Sequence, residues 1–175
     1  MKMIKPVSNA TLRWLWKGLV HNTEGLRLEN KNNNSGAEVL KQRYVVSADD
    51  FASAGAASAS VKKTLKQLGF SPDFIRRISI AMYEGEINMV IHGGGGIAEV
   101  QISENQVEIT LTDEGPGIAD ISLAMKEGFS TASDTVREMG FGAGMGLPNI
   151  KKQSDNLNII SEVGKGTTLV ITIGL

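Results

Sequence analysis

Residues 140–147 of this 175-residue chain read GFGAGMGL, a run in which every second residue from 140 to 146 is glycine. The run leads directly into a segment predicted to be helical, residues 147–154. Unpaired backbone N–H groups at the start of a helix, together with the positive end of the helix dipole, form a site for anions, and glycine lets phosphate oxygens approach the backbone. The glycine spacing differs from that of a Walker loop and of a dinucleotide-binding fingerprint. The run therefore indicates either a phosphate-binding turn of another kind or a flexible hinge.

This glycine run closes a long region, residues 113–146, that the pattern predicts to be irregular. Irregular stretches of this length inside a compact domain are usually functional. The region begins with the sequence DEGPG at residues 113–117, directly after a predicted strand. The carboxylate of Asp113 can accept a hydrogen bond from an exocyclic amine, while the glycine backbone that follows passes close to a flat ring. The same five residues would also form an ordinary turn.

A second group of polar residues lies on the helix predicted over residues 72–92. Glu84 and Asn88 are four residues apart and share one face of this helix, whereas Glu86 points nearly the opposite way and is expected to be solvated or locally paired. A carboxylate can receive a hydroxyl proton, and an amide oxygen can complete the coordination shell of Mg²⁺. Taken alone, such a pair is usually only polar surface. His92, one turn further on, is expected to cap the helix rather than to act as a ligand or base.

The remaining pattern predicts an α+β fold with one layer of helices on one face of a mixed sheet. Strands are predicted at residues 43–47, 98–103, 107–112, 159–163 and 167–173, and helices at about 50–68, 72–92 and 147–154. Asp49 or Asp50 is expected to cap the first helix. Gly85 is unfavourable inside a helix by about 1 kcal/mol relative to alanine, so a close packing contact is expected there. Residues 93–96 are all glycine and predict a loose exit from the second helix.

Composition and charge describe a globular chain with a distinct N-terminal segment. Apolar residues make up 41% and charged residues 21%, and there is no cysteine, which excludes disulfides and thiolate metal sites. No apolar run reaches the roughly 18 residues of a membrane span, so a cytoplasmic protein is expected. Residues 1–43 hold eight Lys/Arg against three Glu, whereas the remainder holds ten basic and sixteen acidic residues. The acidic main part argues against nucleic-acid binding. We expect residues 1–41 to be a poorly ordered extension and residues 42–175 to form the domain.

In their order along the chain, the motifs resemble the GHKL ATP-binding superfamily, which includes gyrase B, Hsp90, histidine kinases and MutL. That order is Glu-x-x-x-Asn on a helix, Asp-x-Gly-x-Gly after a strand, Gly-x-Gly-x-Gly before a helix, and Gly-x-Gly-Thr before the last strand. Residues 128–148 and 161–168 look most like the small bacterial anti-sigma factors and switch-protein serine kinases of the SpoIIAB, RsbW and RsbT kind. The resemblance covers roughly residues 42–175. It implies a two-layer α/β sandwich of the Bergerat type, with a mostly antiparallel sheet, helices on one face and an ATP lid.

The resemblance also implies a role for each matching residue. Glu84 would be the general base that deprotonates an acceptor serine, and Asn88 would be the Mg²⁺ ligand. Asp113 would accept a hydrogen bond from the adenine amino group. The other nucleotide-binding positions would be Gly115 and Gly117 at the base, Thr167 on the adenine side, and Gly142, Gly144, Met145, Gly146 and Leu147 along the phosphates.

Residues 128–139 would form the lid, from which Arg137 or Lys126 would neutralise phosphate charge. The implied function is that of an ATP/Mg²⁺-dependent serine/threonine kinase, an anti-sigma-type regulator that phosphorylates a small STAS-like antagonist protein. A sigma factor, a phosphatase and a second copy of the chain are further partners that the resemblance allows. An alternative of another class is a non-catalytic, ATP-gated module that binds a transcription regulator. A detached histidine-kinase domain is less favoured, because the chain shows no helical hairpin that bears an acceptor histidine.

Overall fold

The computed structural model describes residues 27–28 and 39–175. Its six strands are β1 (Arg27–Leu28), β2 (Leu40–Ser47), β3 (Gly95–Ile102), β4 (Gln106–Asp113), β5 (Asn156–Glu162) and β6 (Gly166–Gly174). Its five helices are α1 (Ala56–Gln67), α2 (Pro72–Ile91), α3 (Ile121–Ala124), α4 (Asp134–Glu138) and α5 (Gly146–Gln153). Most of the expected N-terminal extension, residues 1–26 and 29–38, lies outside the described residues.

The strands form one sheet in the order β1-β2-β3-β4-β6-β5. Side chains alternate between its two faces, and in β4 Val107, Ile109 and Leu111 are buried while their neighbours are more exposed. The buried face packs against the helices, which together with it enclose the core. The expected two-layer α+β sandwich is therefore confirmed. In the described part of the chain every strand pairing is antiparallel, although the sequence pattern allowed a mixed sheet.

Helix α2 crosses the middle of the sheet and carries the polar pair predicted from the sequence. The Ser71 side chain accepts a hydrogen bond from the Phe74 N–H, and Pro72 occupies the first helical position, as the sequence predicts. The face of α2 that carries Ile78 is buried in the core. The helix ends at Ile91, and His92 is its C-cap residue, which confirms the role expected for that histidine.

Gly85 lies in the middle of α2, where the helix touches strand β4. A Cβ atom at this position would overlap Cδ1 of Leu111 and would approach Cδ1 of Ile150 in α5 to 3.9 Å. Both neighbours are fully buried. Helix α2, the sheet and helix α5 thus meet so closely at Gly85 that a side chain there would force Leu111 to move, and the close packing contact expected from the sequence is found.

Helix α1 begins later than predicted, at Ala56 rather than near residue 50. Gly55 has a φ of 95°, in the left-handed region, where an α-helix cannot continue. Asp50, the expected cap, instead accepts a hydrogen bond from the Ser53 N–H at 3.1 Å and so closes the preceding turn. Neither of the two aspartates therefore caps the helix.

The N-terminus of α1 is capped from helix α2, by Glu86. Its two carboxylate oxygens accept hydrogen bonds from the N–H groups of Ala57 at 3.2 Å and Ser58 at 3.1 Å. A negative charge at the N-terminus of a helix is favourable, because the helix dipole is positive there. Glu86 is only 2% exposed, so the expectation that it is solvated or locally paired is wrong.

The region predicted to be irregular after β4 contains two short helices, α3 and α4. Each begins with a capping side chain: Asp120 accepts from the Leu123 N–H, and Ser133 accepts from the Val136 N–H. Strands β2 and β5 each begin three residues before their predicted starts. Within residues 27–28 and 39–175, no helix combines the length and the hydropathy of a membrane span.

Candidate active site

A cavity of about 830 Å³ lies between helix α2, strands β4 and β6, and the loop and helix segments that follow β4. This volume is within the range of small-molecule sites. The predicted site residues in its wall are Glu84, Asn88, Asp113, Gly117, Gly142, Gly144, Met145, Gly146, Leu147 and Thr167. The fold therefore brings all four sequence motifs to one cavity. Gly115 and Arg137, which the sequence also assigned to the site, do not line it.

Glu84 lies half-buried at the edge of this cavity. Its Oε1 atom accepts a hydrogen bond of 2.7 Å from Nδ2 of Asn149 in helix α5. Because a carboxylate only accepts, the amide nitrogen of Asn149 must be the atom that faces it. Such short, charge-assisted bonds are stronger than neutral ones, so the carboxylate is held in one orientation. Sequence reasoning missed Asn149. The available signal was an amide side chain one turn into the helix that follows the glycine run.

Asn88, one turn beyond Glu84, lies against the first residue of helix α5. A Cβ atom on Gly146 would lie 2.9 Å from Oδ1 and 3.1 Å from Nδ2 of Asn88, so a side chain there would push the Asn88 amide aside. The side-chain amide of Asn88 forms no hydrogen bond with the described residues, and its oxygen is free to bind a ligand. Those residues contain no cluster of three or more acidic or histidine side chains suited to a metal.

The glycine run provides a row of backbone donors without acceptors. Within the described part of the chain, none of the N–H groups of residues 142–147 donates a hydrogen bond. Several of them precede or begin helix α5, where the helix dipole adds a positive field. Gly144 has a φ of 75°, and its carbonyl accepts a bond of 3.0 Å from the Gly128 N–H. A side chain at Gly144 would collide with the backbone of that crossing segment, so glycine is required here.

Asp113 ends strand β4 with its carboxylate fixed in place. Its Oδ1 atom accepts hydrogen bonds from the N–H groups of Gly115 at 2.9 Å and Thr167 at 3.1 Å. Its Oδ2 atom receives none from the residues that the structure describes. Gly93 packs against this side chain so closely that a Cβ atom there would lie 2.8 Å from Cγ of Asp113. The helix exit is therefore tight at Gly93, and the expectation of a loose exit is wrong.

Thr167 is buried beside Asp113 and belongs to a small hydroxyl network. Its Oγ1 atom lies 2.9 Å from Oγ of Ser161, which faces it across the β5–β6 hairpin. Ser161 also accepts a bond of 2.8 Å from the Ile118 N–H and donates to the Gly166 carbonyl at 3.1 Å. Ser161 thus ties the hairpin to the loop that follows Asp113. It was not among the predicted site residues, although its place opposite Thr167 in the hairpin was a signal.

Gly115 and Gly117 let the loop after β4 pass close to two other segments. A Cβ atom on Gly115 would lie 2.8 Å from Cα of Gly93, and one on Gly117 would overlap the carbonyl of Glu162. Gly117 also has a φ of 73° and lines the cavity. Both glycines are therefore explained by backbone crossings at the Asp113 end of the cavity.

The two basic residues predicted for the lid, Arg137 and Lys126, do not line the cavity. The Arg137 guanidinium donates to the carbonyls of Ala132 at 3.2 Å and Ser130 at 3.1 Å and so holds the lid's own turn. No Lys or Arg side chain is found in the cavity wall within the described ranges. A role of either residue toward phosphate stays a prediction.

His92 connects the end of helix α2 with the lid. Its Nδ1 atom lies 3.4 Å from the hydroxyl of Thr131, and its ring lines the cavity. Burial lowers the pKa of His92 below its usual value of 6.5, because the charged form is poorly solvated there. The imidazole is therefore neutral at pH 7.

Comparison with known proteins agrees with this geometry. Residues 75–175 match the family model described as histidine kinase-, DNA gyrase B- and HSP90-like ATPase, over more than half of the chain. The chain belongs to this ATPase family. The serine/threonine-protein kinase RsbT of Bacillus subtilis is 33% identical over 112 residues, which are 62% of this chain and 78% of that protein. An anti-sigma F factor of Clostridium beijerinckii is 33% identical over 121 residues, or 66% of this chain and 81% of that protein.

A solved structure shows the same fold. The crystal structure of the RsbU and RsbW domains of a Mycobacterium tuberculosis protein matches with a TM-score of 0.52 and 16% identity, over 76% of this chain and 32% of that chain. The family match makes ATP the expected nucleotide for the cavity. The relatives confirm the resemblance drawn from the sequence, together with its class, an ATP-dependent serine/threonine kinase of the anti-sigma-factor type.

Proposed function

We propose that this protein is an ATP/Mg²⁺-dependent serine/threonine kinase that acts in the cytoplasm as an anti-sigma-type regulator. Its substrate is a small STAS-like antagonist protein. Phosphorylation changes how the antagonist binds its own partner. The names of the relatives support this class of activity. The observation that carries the proposal is the carboxylate of Glu84, held by Asn149 at the edge of a cavity that also contains a row of unpaired backbone donors.

The two ends of the cavity suit the two ends of ATP. The free Oδ2 atom of Asp113 accepts a hydrogen bond from the adenine amine, and its Oδ1 atom is already held by two N–H groups. The triphosphate lies along the N–H groups of residues 142–147, which have no other acceptor in the described part of the chain. Backbone donors of this kind bind phosphate without a positively charged side chain.

Asn88 fits a magnesium site because its amide oxygen is a hard ligand, unpaired and beside the start of helix α5. With no cluster of acids among the described residues, the other ligands would be phosphate oxygens and water. The ion supplies neutralisation of phosphate charge. Arg137 or Lys126 would neutralise further phosphate charge from the lid side. To do so, Arg137 would have to release the two backbone carbonyls that it now binds and bind phosphate oxygens instead.

The transfer step follows from the position of Glu84. The serine hydroxyl of the partner attacks the γ-phosphorus, and its proton moves to the Glu84 carboxylate. The bond between the γ-phosphorus and the bridging oxygen breaks, and its electron pair leaves with ADP. Asn149 keeps the carboxylate turned toward the attacking hydroxyl during this step.

The test is the Glu84→Gln variant, which keeps the size of the side chain but cannot accept the proton. We expect ATP affinity to be retained and phosphate transfer to fall by roughly 10² to 10⁴. Transfer is measured with γ-labelled ATP and purified STAS-domain proteins of the same organism. Glu104→Gln, in the exposed turn between β3 and β4, is the matched control. Normal transfer by Glu84→Gln would refute the base assignment. ATP-dependent complexes without phosphoserine in the wild type would favour the non-catalytic module instead.

A further inference from the structure

A groove between helices α1 and α2 meets the candidate active site. It has a volume of about 690 Å³ and extends from Phe70 and Pro72 at one end to Tyr83 and Glu84 at the other. Tyr83 and Glu84 line both this α1–α2 groove and the cavity. From Pro72 to Glu84 the helix axis rises about 18 Å, which equals five or six residues of extended chain. A segment bound in the groove would therefore end at the proposed general base.

The α1–α2 groove is apolar along its length. Phe70, Ile75 and Ile80 line it, and the ring of Tyr83 closes the end nearest Glu84. Tyr83 is 41% exposed, a large apolar surface beside a catalytic candidate. Exposed apolar surface that is rimmed by polar residues marks interaction sites.

The rim of the groove is basic. Lys62 and Lys66 lie one turn apart on α1 and are both exposed, and neither side chain forms a hydrogen bond or ion pair with the described residues. Arg76 lines the opposite side, and its 3.8 Å contact with Asp73 is solvent-exposed and weak. Residues 44–175 as a whole carry ten basic and sixteen acidic residues, so this positive rim stands out from an acidic domain. Complementary charge governs which partners bind such a surface.

We propose that the α1–α2 groove is the docking site for an acidic segment of the protein substrate. Carboxylates of that segment pair with Lys62 and Lys66, an apolar side chain lies against Phe70 and Tyr83, and the serine or threonine that follows reaches Glu84. This inference rests on the proposed kinase function. It explains how the acceptor hydroxyl is held beside the base. Such positioning of the reacting groups accounts for a large part of the rate enhancement of a group transfer.

The test uses two synthetic peptides of 12 residues, each with one serine and three leucines. One carries four aspartates, and the other carries four lysines at the same positions. Binding to the 175-residue chain is measured by fluorescence anisotropy, and the amide NMR shifts locate the binding site. We expect the acidic peptide to bind at least tenfold more tightly, with shifts at Lys62, Lys66 and Tyr83. The Lys62→Glu/Lys66→Glu variant should lose this preference.

Lys151→Glu/Lys152→Glu is the matched control, because it makes the same charge change on exposed residues of α5 that line neither the groove nor the cavity. Thermal unfolding checks that both variants fold. Equal binding of the two peptides, an equal loss in both double variants, or shifts confined to other surfaces would overturn the inference. A loss of self-association in Lys62→Glu/Lys66→Glu without a change in peptide binding would also overturn the inference. None of these outcomes affects ATP binding or the Glu84→Gln result, so the proposed function can fail or stand separately.

Discussion

Replacing Gly85 by alanine tests the contact between helix α2 and the sheet beneath the cavity. In an exposed helix interior this change stabilises a protein by about 1 kcal/mol. Here the new Cβ atom would overlap Cδ1 of Leu111, a side chain that is only 1% exposed. Overpacking of a core typically destabilises by about 1–3 kcal/mol. Because the overlap is deep, we expect Gly85→Ala to lower the free energy of unfolding by about 1–2 kcal/mol.

A double-mutant cycle measured by urea unfolding decides whether Leu111 is the cause. Leu111→Ala alone should destabilise by about 2–5 kcal/mol, because it leaves a cavity in the core. In the double variant the methyl group introduced at position 85 enters the space that Leu111 has vacated. The loss of unfolding free energy in the double variant should therefore be smaller than the sum of the two single losses by at least about 1 kcal/mol. ATP affinity should fall in Gly85→Ala and recover in part in the double variant. A Gly85→Ala variant more stable than the wild type, or additive losses, would refute the packing argument.

Two further predictions concern residues around the cavity. Asn149→Ala removes the 2.7 Å donor to the half-buried Glu84. We expect kcat to fall about tenfold, or about 1.4 kcal/mol, while KM for ATP stays unchanged. A loss of stability instead of kcat would mean that Asn149 is only structural. Burial lowers the pKa of His92 in the folded protein. Below about pH 6.5 the unfolded chain therefore binds more protons at this residue than the folded chain does. The free energy of unfolding should fall as the pH decreases from about 6.5 toward the pKa of the folded state. His92→Gln should show a smaller decrease in urea midpoint between pH 7.5 and 5.5, and equal decreases would contradict this.

Local signals predicted the parts of the fold that depend on neighbouring residues. The start of α2 is encoded by Ser71 and Pro72, and the turn before α5 by alternating glycines, so both could be located from the sequence. Glu84 and Asn88 could be paired because helical spacing places them on one face. The motifs could be assigned to one cavity through their order along the chain.

The misplaced features depend on contacts between distant residues. Glu86 caps a helix that begins about 30 residues earlier, and Asn149 contacts a carboxylate 65 residues away. Helical periodicity correctly placed Glu86 on another face from Glu84, but it could not show that α1 begins there without a side-chain cap of its own. The packing of Gly93 against Asp113 likewise depends on a distant contact, between the residue that follows the C-cap of α2 and the last residue of strand β4.

The most direct test of the central claim is calorimetric titration of the protein with ATP and with GTP in the presence of Mg²⁺. In the proposed function, the carboxylate oxygen of Asp113 that receives no hydrogen bond from the described residues would accept one from the adenine amine, because the other oxygen is held by two N–H groups. Guanine presents a carbonyl oxygen at that position and would leave two acceptors facing each other. We predict one ATP bound per chain and an affinity for GTP that is at least a hundredfold lower. No heat with millimolar ATP, or equal affinities for the two nucleotides, would contradict the account.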